Sequence, residues 1–405
     1  MDEVDRTVRR PGTLRLAGES DEASRWAGAM VDRVAALGAV FGFSVALGVA
    51  TVAVPLLALA AGYDAATVGF LAATSAASQL STRFALPWLL GRFQDRRLIL
   101  LACMVMVAAF GLLILSTTLV VFMAAQLLQG AARAVFWTSS QTHAVRGDGP
   151  SVRGLVDLNV LGNAGTLVGP ALGGSLAAVG LPVALAAAAI GAGMAAVMAL
   201  LMRRLPPYDR RQSAGSLLLL RRDGVDVACW GSVVGGTWWS MLGSYVPVVL
   251  VGAGLGSIAI GWLITLSEGA GAVALLALRR LPERRIGLVV RGGAFIAMTA
   301  LVAIALVPAA PIAYALLLLL GGGSNGAVTA LAPAMATLVA GPHEQGDVLA
   351  LAGTFRAGAL LGSPATVGAM LAIAPLAAAI TVVALAVAAP GIVLAGAAVI
   401  RRRQR

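Results

Sequence analysis

The sequence predicts an all-α membrane protein, with twelve transmembrane helices in two pseudo-symmetric six-helix bundles. Three observations carry that expectation. Of 405 residues, 59% are hydrophobic and 12% charged, whereas a soluble chain has about 25% charged residues with which to coat its surface. The 29 basic and 18 acidic residues gather in short clusters between apolar stretches, and about 20 apolar residues cross a bilayer. The clusters also alternate in character. Every basic residue is arginine, and the arginines crowd into every second connection, the pattern that keeps basic loops cytoplasmic. This composition excludes a soluble enzyme, a secreted disulfide scaffold and a disordered or fibrous chain.

Taken in order, residues 1–33 mix Asp, Glu and Arg and lack the apolar core and small-residue cleavage site of a signal peptide. A flexible cytoplasmic tail is expected there. Apolar stretches follow near 34–61, 66–90, 98–115, 119–141, 155–178 and 181–202, the first bundle (34–202). Six more lie near 225–250, 257–278, 287–307, 311–338, 348–373 and 375–400, the second bundle (225–400). Connections after odd-numbered spans are short and nearly uncharged: Gly62-Tyr63-Asp64, Ser116-Thr117-Thr118, Gly180, Gly252 to Gly256, Pro308 to Pro311, and Pro375. Those after even-numbered spans carry arginine, apart from the His343-Glu344-Asp347 loop. The longest, 203–224, holds Arg203/Arg204, Arg210/Arg211 and Arg221/Arg222 and reads as a cytoplasmic linker, and 401–405 as a basic tail. Twelve spans with this alternation of arginine-bearing connections are expected to put both termini in the cytoplasm, and the chain is expected as a multi-pass protein of the cell inner (plasma) membrane. Cys103 and Cys229 fall inside apolar stretches, so no disulfide framework is implied. The net charge of +11 marks topology rather than a nucleic-acid partner.

The six-and-six division invites a search for a repeat. A shift of 192 brings Val54-Pro55 onto Val246-Pro247, Gly62 onto Gly254, Gly69 onto Gly261, Ser75 onto Ser267 and Gly130 onto Gly322. It also brings Gly149-Pro150 onto Gly341-Pro342 and Gly154 onto Gly346, and Pro170 meets Pro364 at 194. Alanine and leucine match by chance in such a chain; glycine and proline at one offset do so far less. Two similar halves with a central site between them is an arrangement used by transporters.

Three motifs carry more. The loop after span 2 reads Gly91-Arg92-Phe93-Gln94-Asp95-Arg96-Arg97, and span 4 runs through Gln129-Gly130-Ala131-Ala132-Arg133. Span 5 contains Gly165-Thr166-Leu167-Val168-Gly169-Pro170-Ala171-Leu172-Gly173-Gly174. With the two halves, these resemble the major facilitator superfamily over essentially the whole chain after the tail. The span 5 string is similar to the pattern of its twelve-span drug/proton antiporters. In physical terms, Gly165, Gly169 and Gly173 leave one helix face bare, so a neighbouring helix approaches closely, and Pro170 frees a backbone bond that neighbours can compensate. Gly91 is expected to permit close approach of the halves. Asp95, Arg96 and Arg97 are expected to form a charged cytoplasmic gate with Glu344 and Asp347 at the start of span 11, where a helix N-terminus also attracts Asp95. Glu283, Arg284 and Arg285 form the corresponding cluster after span 8.

Charges inside spans point to function, because each costs at least about 2.5–3.5 kcal/mol on insertion scales. Arg83, Arg133, Glu268 and Arg356 are singled out. Arg83 follows Ser75 and Gln79 at spacings of four, and Arg133 lies in a stripe of Gln126, Gln129, Gly130, Trp137 and Ser140. Asn325 matches Arg133 through the repeat, and span 5 adds Asn159, Asn163 and Thr166. A polar central cavity is expected, with Glu268 as the proton-coupling carboxylate and a structural pair with an arginine as its rival role. Trp238 and Tyr245, seven apart with Met241 between them, are expected to form an aromatic wall for an amphipathic substrate. Trp88 reads as an interface anchor, and His143, Asp157 and Asp226 as solvated groups at span ends. No metal-ligand cluster, phosphate-binding loop or nucleophile–base constellation is visible, so no cofactor is expected.

The resemblance implies a secondary transporter working by alternating access: an antiporter for proton-coupled efflux of a drug-like or metabolite small molecule (multidrug exporters are among its relatives), acting as a monomer in the lipid bilayer. The sequence departs from that pattern in three places. The second Gly-Arg of the loop motif is missing, Gln126 stands where the exporters carry arginine, and span 1 has no carboxylate. Three buried arginines against one glutamate suit an anionic or zwitterionic substrate better than a lipophilic cation. An organic-anion importer or exchanger using Arg133 and Arg83 as clamps stays open, as does a transport-inactive receptor or scaffold.

Overall fold

The computed structural model describes residues 12–146, 151–207, 219, 220, 222, 224–278, 281–340 and 344–403. Residues 1–11 and 404–405, linker residues 208–218, 221 and 223, and the repeat matches Gly149-Pro150 and Gly341-Pro342 lie outside the described residues.

Thirteen helices account for the described chain: α1 Gly12–Ala60, α2 Ala65–Arg92, α3 Asp95–Leu115, α4 Leu119–Arg146, α5 Ser151–Val179, α6 Leu181–Leu201, α7 Val225–Leu242, α8 Tyr245–Gly252, α9 Ser257–Ala277, α10 Glu283–Leu306, α11 Pro311–Val339, α12 Gln345–Met370 and α13 Leu376–Arg403. Eight are long and apolar enough to cross a bilayer outright, and α7 with α8 makes a ninth, bent by 44°. Helices α2 and α5 have the length, 28 and 29 residues, but polar side chains dilute them. The apolar part of α13, Leu376–Gly391, is short. All three pack within the bundles, α2 on α4, α5 on α1 and α13 on α10, and complete twelve crossings.

Two sequence expectations change. Span 7 is not one helix: it breaks at Gly243-Ser244, four and three residues before Pro247. Proline removes the N–H that would bond to the Gly243 carbonyl, and glycine is the weakest ordinary helix former. The matching Pro55 lies inside unbroken α1, where Thr51-Val52 stand in place of Gly243-Ser244. The tail is not flexible throughout either, because α1 begins at Gly12 and runs into span 1. Its Arg33 pairs with Asp157 of α5, and the Asp32 carboxylate accepts from the Arg203 N–H (2.6 Å) and contacts His143 Nε2 (3.2 Å). These contacts hold the end of the tail against the first bundle.

Helix pairing repeats between the halves. In the first, α1 packs on α5 and α6, α2 on α4, α3 on α4 and α6; in the second, α7 packs on α12 and α13, α9 on α11, α10 on α11 and α13. Residues matched by the shift of 192 make the same contacts. A Cβ on Gly130 would lie 2.0 Å from the Ser75 carbonyl, and one on Gly322 would lie 2.3 Å from the Ser267 carbonyl. Gly62 and Gly254 adopt φ of +85° and +82°, the left-handed region glycine enters without penalty. Both sit in the same helix-ending turn, closed by Tyr63 N–H to Ala58 O and Leu255 N–H to Leu250 O, each 3.0 Å. Two large apolar cores follow, one drawn from α1 to α6 and one from α7 to α13, joined by Val52.

The halves meet along two seams, α5 with α9 and α2 with α12, with α8 lodged against α1 and α2. Close contacts gather toward the end bearing Gly62 and Gly254. Toward the other, arginine-rich end, polar side chains emerge. Along α2, Ser75 is buried, Gln79 half-buried and Arg83 exposed.

Candidate functional site

The site is assembled at mid-depth between the seams. Arg133, Glu268 and Arg356 each fall within two residues of their helix midpoints (133 in 119–146, 268 in 257–277, 356 in 345–370). Each is half-buried yet strongly desolvated, the combination expected on the wall of an enclosed cavity. Thr265 and Gly269, three residues before and one after Glu268, touch α5: the Thr265 hydroxyl donates to Leu167 O (3.1 Å), and a Cβ on Gly269 would lie 3.3 Å from the Leu167 side chain. Glu268 thus belongs to a helix face turned toward the other half. Its electrostatic partner is Arg356 of α12.

Arg83 crosses the second seam. Its Nη1 donates a long, 3.4 Å hydrogen bond to Gly353 O, one turn before Arg356, and Arg83 and Arg356 feel each other's charge. Gly353 and Arg356 line a cavity of about 140 Å³ together with Ser232 of α7 and Thr329 of α11. Arg356 of α12 thus lies within electrostatic reach of both Glu268 on α9 and Arg83 on α2.

The α4 stripe is buried rather than lipid-facing: Gln126 and Gln129 are 5% and 1% exposed. Both amide atoms of Gln129, the Arg133 Nε, the Asn325 Oδ1 and the hydroxyls of Ser75 and Ser267 are buried without a hydrogen-bond partner among the described residues. Buried polar atoms are almost always satisfied, so these atoms call for water or another polar partner. Asn163 is exposed, with Asn159 one turn before it. It shares a helix face with Leu167, Pro170 and Gly174, all against α9, so it opens into the gap between the halves. Trp137 lies between α4 and α5, its ring against Gly162.

The aromatic wall does not form. Trp238 is buried in the second core against Gly321 of α11 and Ala300 of α10. Tyr245 lies beyond the break, fully buried, its hydroxyl donating to Pro364 O (3.2 Å) beside Gly69 and Gly368. The seven-residue spacing placed them on one face only for a continuous helix.

Among the described residues, the partners seen for Asp95 and Arg96 lie in the first half. Asp95, fully buried, accepts from Arg146 Nη1 at 3.0 Å and lies 3.9 Å from His143 Nδ1. Arg146 also donates to Pro206 O, and Arg96 to Met202 O. Glu344 pairs with Arg222 of the linker, and Asp347 stands in the first turn of α12. Gly91 and Arg97 are exposed, and Asp95 is met within its own half. The reason is reach: α4 extends to Arg146 and delivers a cation to Asp95 locally. His143, expected in solvent, is 2% exposed between Asp32 and Asp95. Asp157 pairs with Arg33, and Asp226 accepts from the Gly224 and Val227 N–H groups at the start of α7. Trp88 is exposed under the Arg92 guanidinium.

The bare face of α5 is filled by α1. A Cβ on Gly165 would strike Ser44, on Gly169 the Gly48 Cα at 2.5 Å, and on Gly173 the Val49 carbonyl at 2.8 Å. Pro170 and Gly174 face α9 across the seam. Arg291 of α10 escaped the sequence reading. Its Nε is buried without a hydrogen-bond partner among the described residues, and an arginine inside the 287–307 stretch was the available signal.

The family model of the Major Facilitator Superfamily matches residues 36–364. No curated protein matches by sequence. Among solved structures, the chain is similar to a POT family transporter in complex with a thioalcohol conjugated peptide (TM-score 0.71, 12% identity, covering 89% of this chain and 95% of that one). It is also similar to the nucleoside transporter NupG (0.65, 13%, 90% and 97%). A bacterial homolog of the human lysosomal transporter Spinster, inward-facing and unoccupied, aligns as well (0.65, 12%, 91% and 94%). At these identities the likeness is one of fold. With a family match over most of the chain and one helix pairing used twice, the chain belongs to the Major Facilitator Superfamily.

Proposed function

We propose that this protein is a secondary active transporter that exports a small organic solute in exchange for protons. The observation that carries the reading is Glu268. It is a half-buried carboxylate at the midpoint of α9, on a face turned to the opposite half, with Arg356 of α12 as its electrostatic partner. Neutralising that carboxylate by a proton changes the balance between α9 and α12, each of which forms one seam with the first bundle. That is the coupling an antiporter needs: proton and solute bias the same two-state element. The span 5 glycine face supports export through its similarity to the drug/proton antiporters. The arginine-rich end is assigned to the cytoplasm by the positive-inside rule, with 34–202 and 225–400 as the bundles that rock about the cavity and 203–224 joining them. The solute is taken to be small and polar-headed, in keeping with the nucleoside and peptide named for two fold neighbours.

The test is solute-dependent proton movement in proteoliposomes under an imposed pH gradient. Wild type is expected to couple the two. Glu268→Gln is expected to retain solute exchange and lose at least tenfold of the proton flux. Unchanged proton flux in the variant would remove Glu268 from the mechanism, and accumulation only in the import direction would reverse the assigned direction.

A further inference from the structure

We propose that Arg83 and Arg356 form a two-sided clamp for an anionic oxygen group, a carboxylate or phosphate, carried by the transported solute. The inference deepens the transporter reading and rests on it for the source of the anion. Arg83 belongs to the first half and Arg356 to the second, yet the Arg83 guanidinium reaches the Gly353 carbonyl one turn from Arg356. That 3.4 Å contact is Arg83's one hydrogen bond among the described residues, and Arg356 makes no hydrogen bond or close ion pair among them. Two guanidinium forks, each with up to five donors, are left with almost nothing to bind.

The charge balance points the same way. Arg356 is repelled by Arg83 and attracted by Glu268, so one carboxylate stands against a cation pair of which Arg356 lies at mid-helix, where unpaired charge is expensive. When Glu268 takes a proton, the excess grows. The cavity beside Arg356 is lined by Ser232, Thr329, Gly353 and Arg356 with apolar neighbours and no acidic residue, and Arg83 reaches it at the Gly353 carbonyl. Its volume of about 140 Å³ equals that of roughly four to five waters at about 30 Å³ each. That is room for a carboxylate or phosphate and its first attached atoms. Guanidinium forks match both groups bidentately. An anion gripped from both sides also ties α2 to α12, so its binding favours approach of the halves at the arginine-rich end of that seam. The sequence reading paired Arg83 with Arg133; the fold substitutes Arg356, because α12 rather than α4 carries the cation facing across the seam.

The experiment uses the purified full chain and reads thermal stability against benzoate, inorganic phosphate and the uncharged isostere benzamide. Benzoate or phosphate is expected to raise Tm in a saturable manner and benzamide is not. Arg83→Gln and Arg356→Gln are each expected to weaken the response at least tenfold in half-maximal concentration, with Arg356→Lys intermediate. If Arg356→Gln fails to fold, the exposed Arg83→Gln carries the comparison. Absence of any anion response, an equal response to benzamide, or wild-type responses in both glutamine variants would overturn the clamp. Repeating the titration in phosphatidylcholine nanodiscs with and without phosphatidylglycerol separates the sources: a response abolished by the anionic lipid alone assigns the site to a headgroup and overturns a solute clamp. Counterflow of labelled benzoate in liposomes separates the two proposals. An intact anion response without counterflow leaves the clamp and counts against the transporter reading; counterflow of benzamide as fast as benzoate does the reverse.

Discussion

The two seams between the halves are related by the repeat, yet they are built differently. In the α5–α9 seam, a Cβ on Gly261 would lie 2.4 Å from the Pro170 carbonyl and 2.9 Å from the Gly174 Cα, so backbone rests on backbone. In the α2–α12 seam, the matching Gly69 faces the matching Pro364, whose carbonyl stands 3.1 Å from a Cβ built there, and the Tyr245 hydroxyl intrudes at 1.7 Å. The residue matching Tyr245 in the first half is Ala53. Duplication kept the places where chains approach and changed what fills them. At Gly261 the first seam is backbone on backbone, with no room for a side chain. The other is mediated by a tyrosine and an arginine, and side chains can rearrange where backbones cannot. The α2–α12 seam is therefore the adjustable one, and it carries Arg83 and Arg356, whereas Glu268 lies on α9.

The largest expected effect breaks the tight seam. Gly261→Val has no flexible atom to displace, so destabilisation above about 3 kcal/mol is expected, read as loss of a monodisperse folded peak and of the thermal transition. Gly69→Ala is expected to lose less, about 1–3 kcal/mol, because its obstruction at 1.7 Å is the end of the Tyr245 side chain. Adding Tyr245→Leu to Gly69→Ala should recover part of that loss, whereas no single partner change should recover Gly261→Val. Equal losses in the two seams, or a rescuable Gly261→Val, would erase the distinction.

These contrasts also show how much was legible beforehand. Gly62, Gly69, Ser75, Gly130 and Pro170 were visible as repeat partners because close approach and left-handed turns admit few residue types. The charges Arg83, Arg133, Glu268 and Arg356 were visible because membrane burial makes any charge conspicuous. Partnership was not visible. Asp95 looked poised to reach the second half, but the length of α4 brings Arg146 to it. Trp238 and Tyr245 looked coplanar, but Gly243 and Ser244 give way where Thr51 and Val52 do not. Arg356 proved to be the neighbour of Arg83 because the α2–α12 crossing sets that distance, and no spacing within one helix encodes it.

A smaller effect sharpens the role of the tyrosine. Tyr245→Phe removes the 3.2 Å hydrogen bond to Pro364 O and keeps the ring, so about 0.5–1.5 kcal/mol of stability should go. Transport, by contrast, should keep its substrate preference, since Tyr245 is fully buried away from the Arg83–Arg356 cavity. A changed preference, measured by competition among solutes, would return Tyr245 to the binding surface.

The smallest effect concerns how the two seam helices start. Asp64 caps α2, its Oδ1 accepting from the Thr67 N–H at 2.8 Å. The matching residue at the start of α9 is Gly256, with no side-chain cap. Asp64→Gly therefore makes the first half like the second, and glycine at a helix N-cap costs only a few tenths of a kcal/mol relative to aspartate. The sign of its pH dependence is fixed. Hydrogen bonding from Thr67 holds the Asp64 carboxyl below its ordinary value, so the cap contributes fully above the unfolded value of about 3.9 and is lost as pH falls through the lower folded value. The Tm difference between wild type and Asp64→Gly should be present at pH 6 and shrink as the pH falls through the lowered folded value. Gly256→Asp should acquire the same dependence, with a small gain in Tm at neutral pH. A difference that persists in acid would mean that Asp64 acts through its shape rather than its charge, and that the uncapped start of α9 is not the counterpart the repeat makes it.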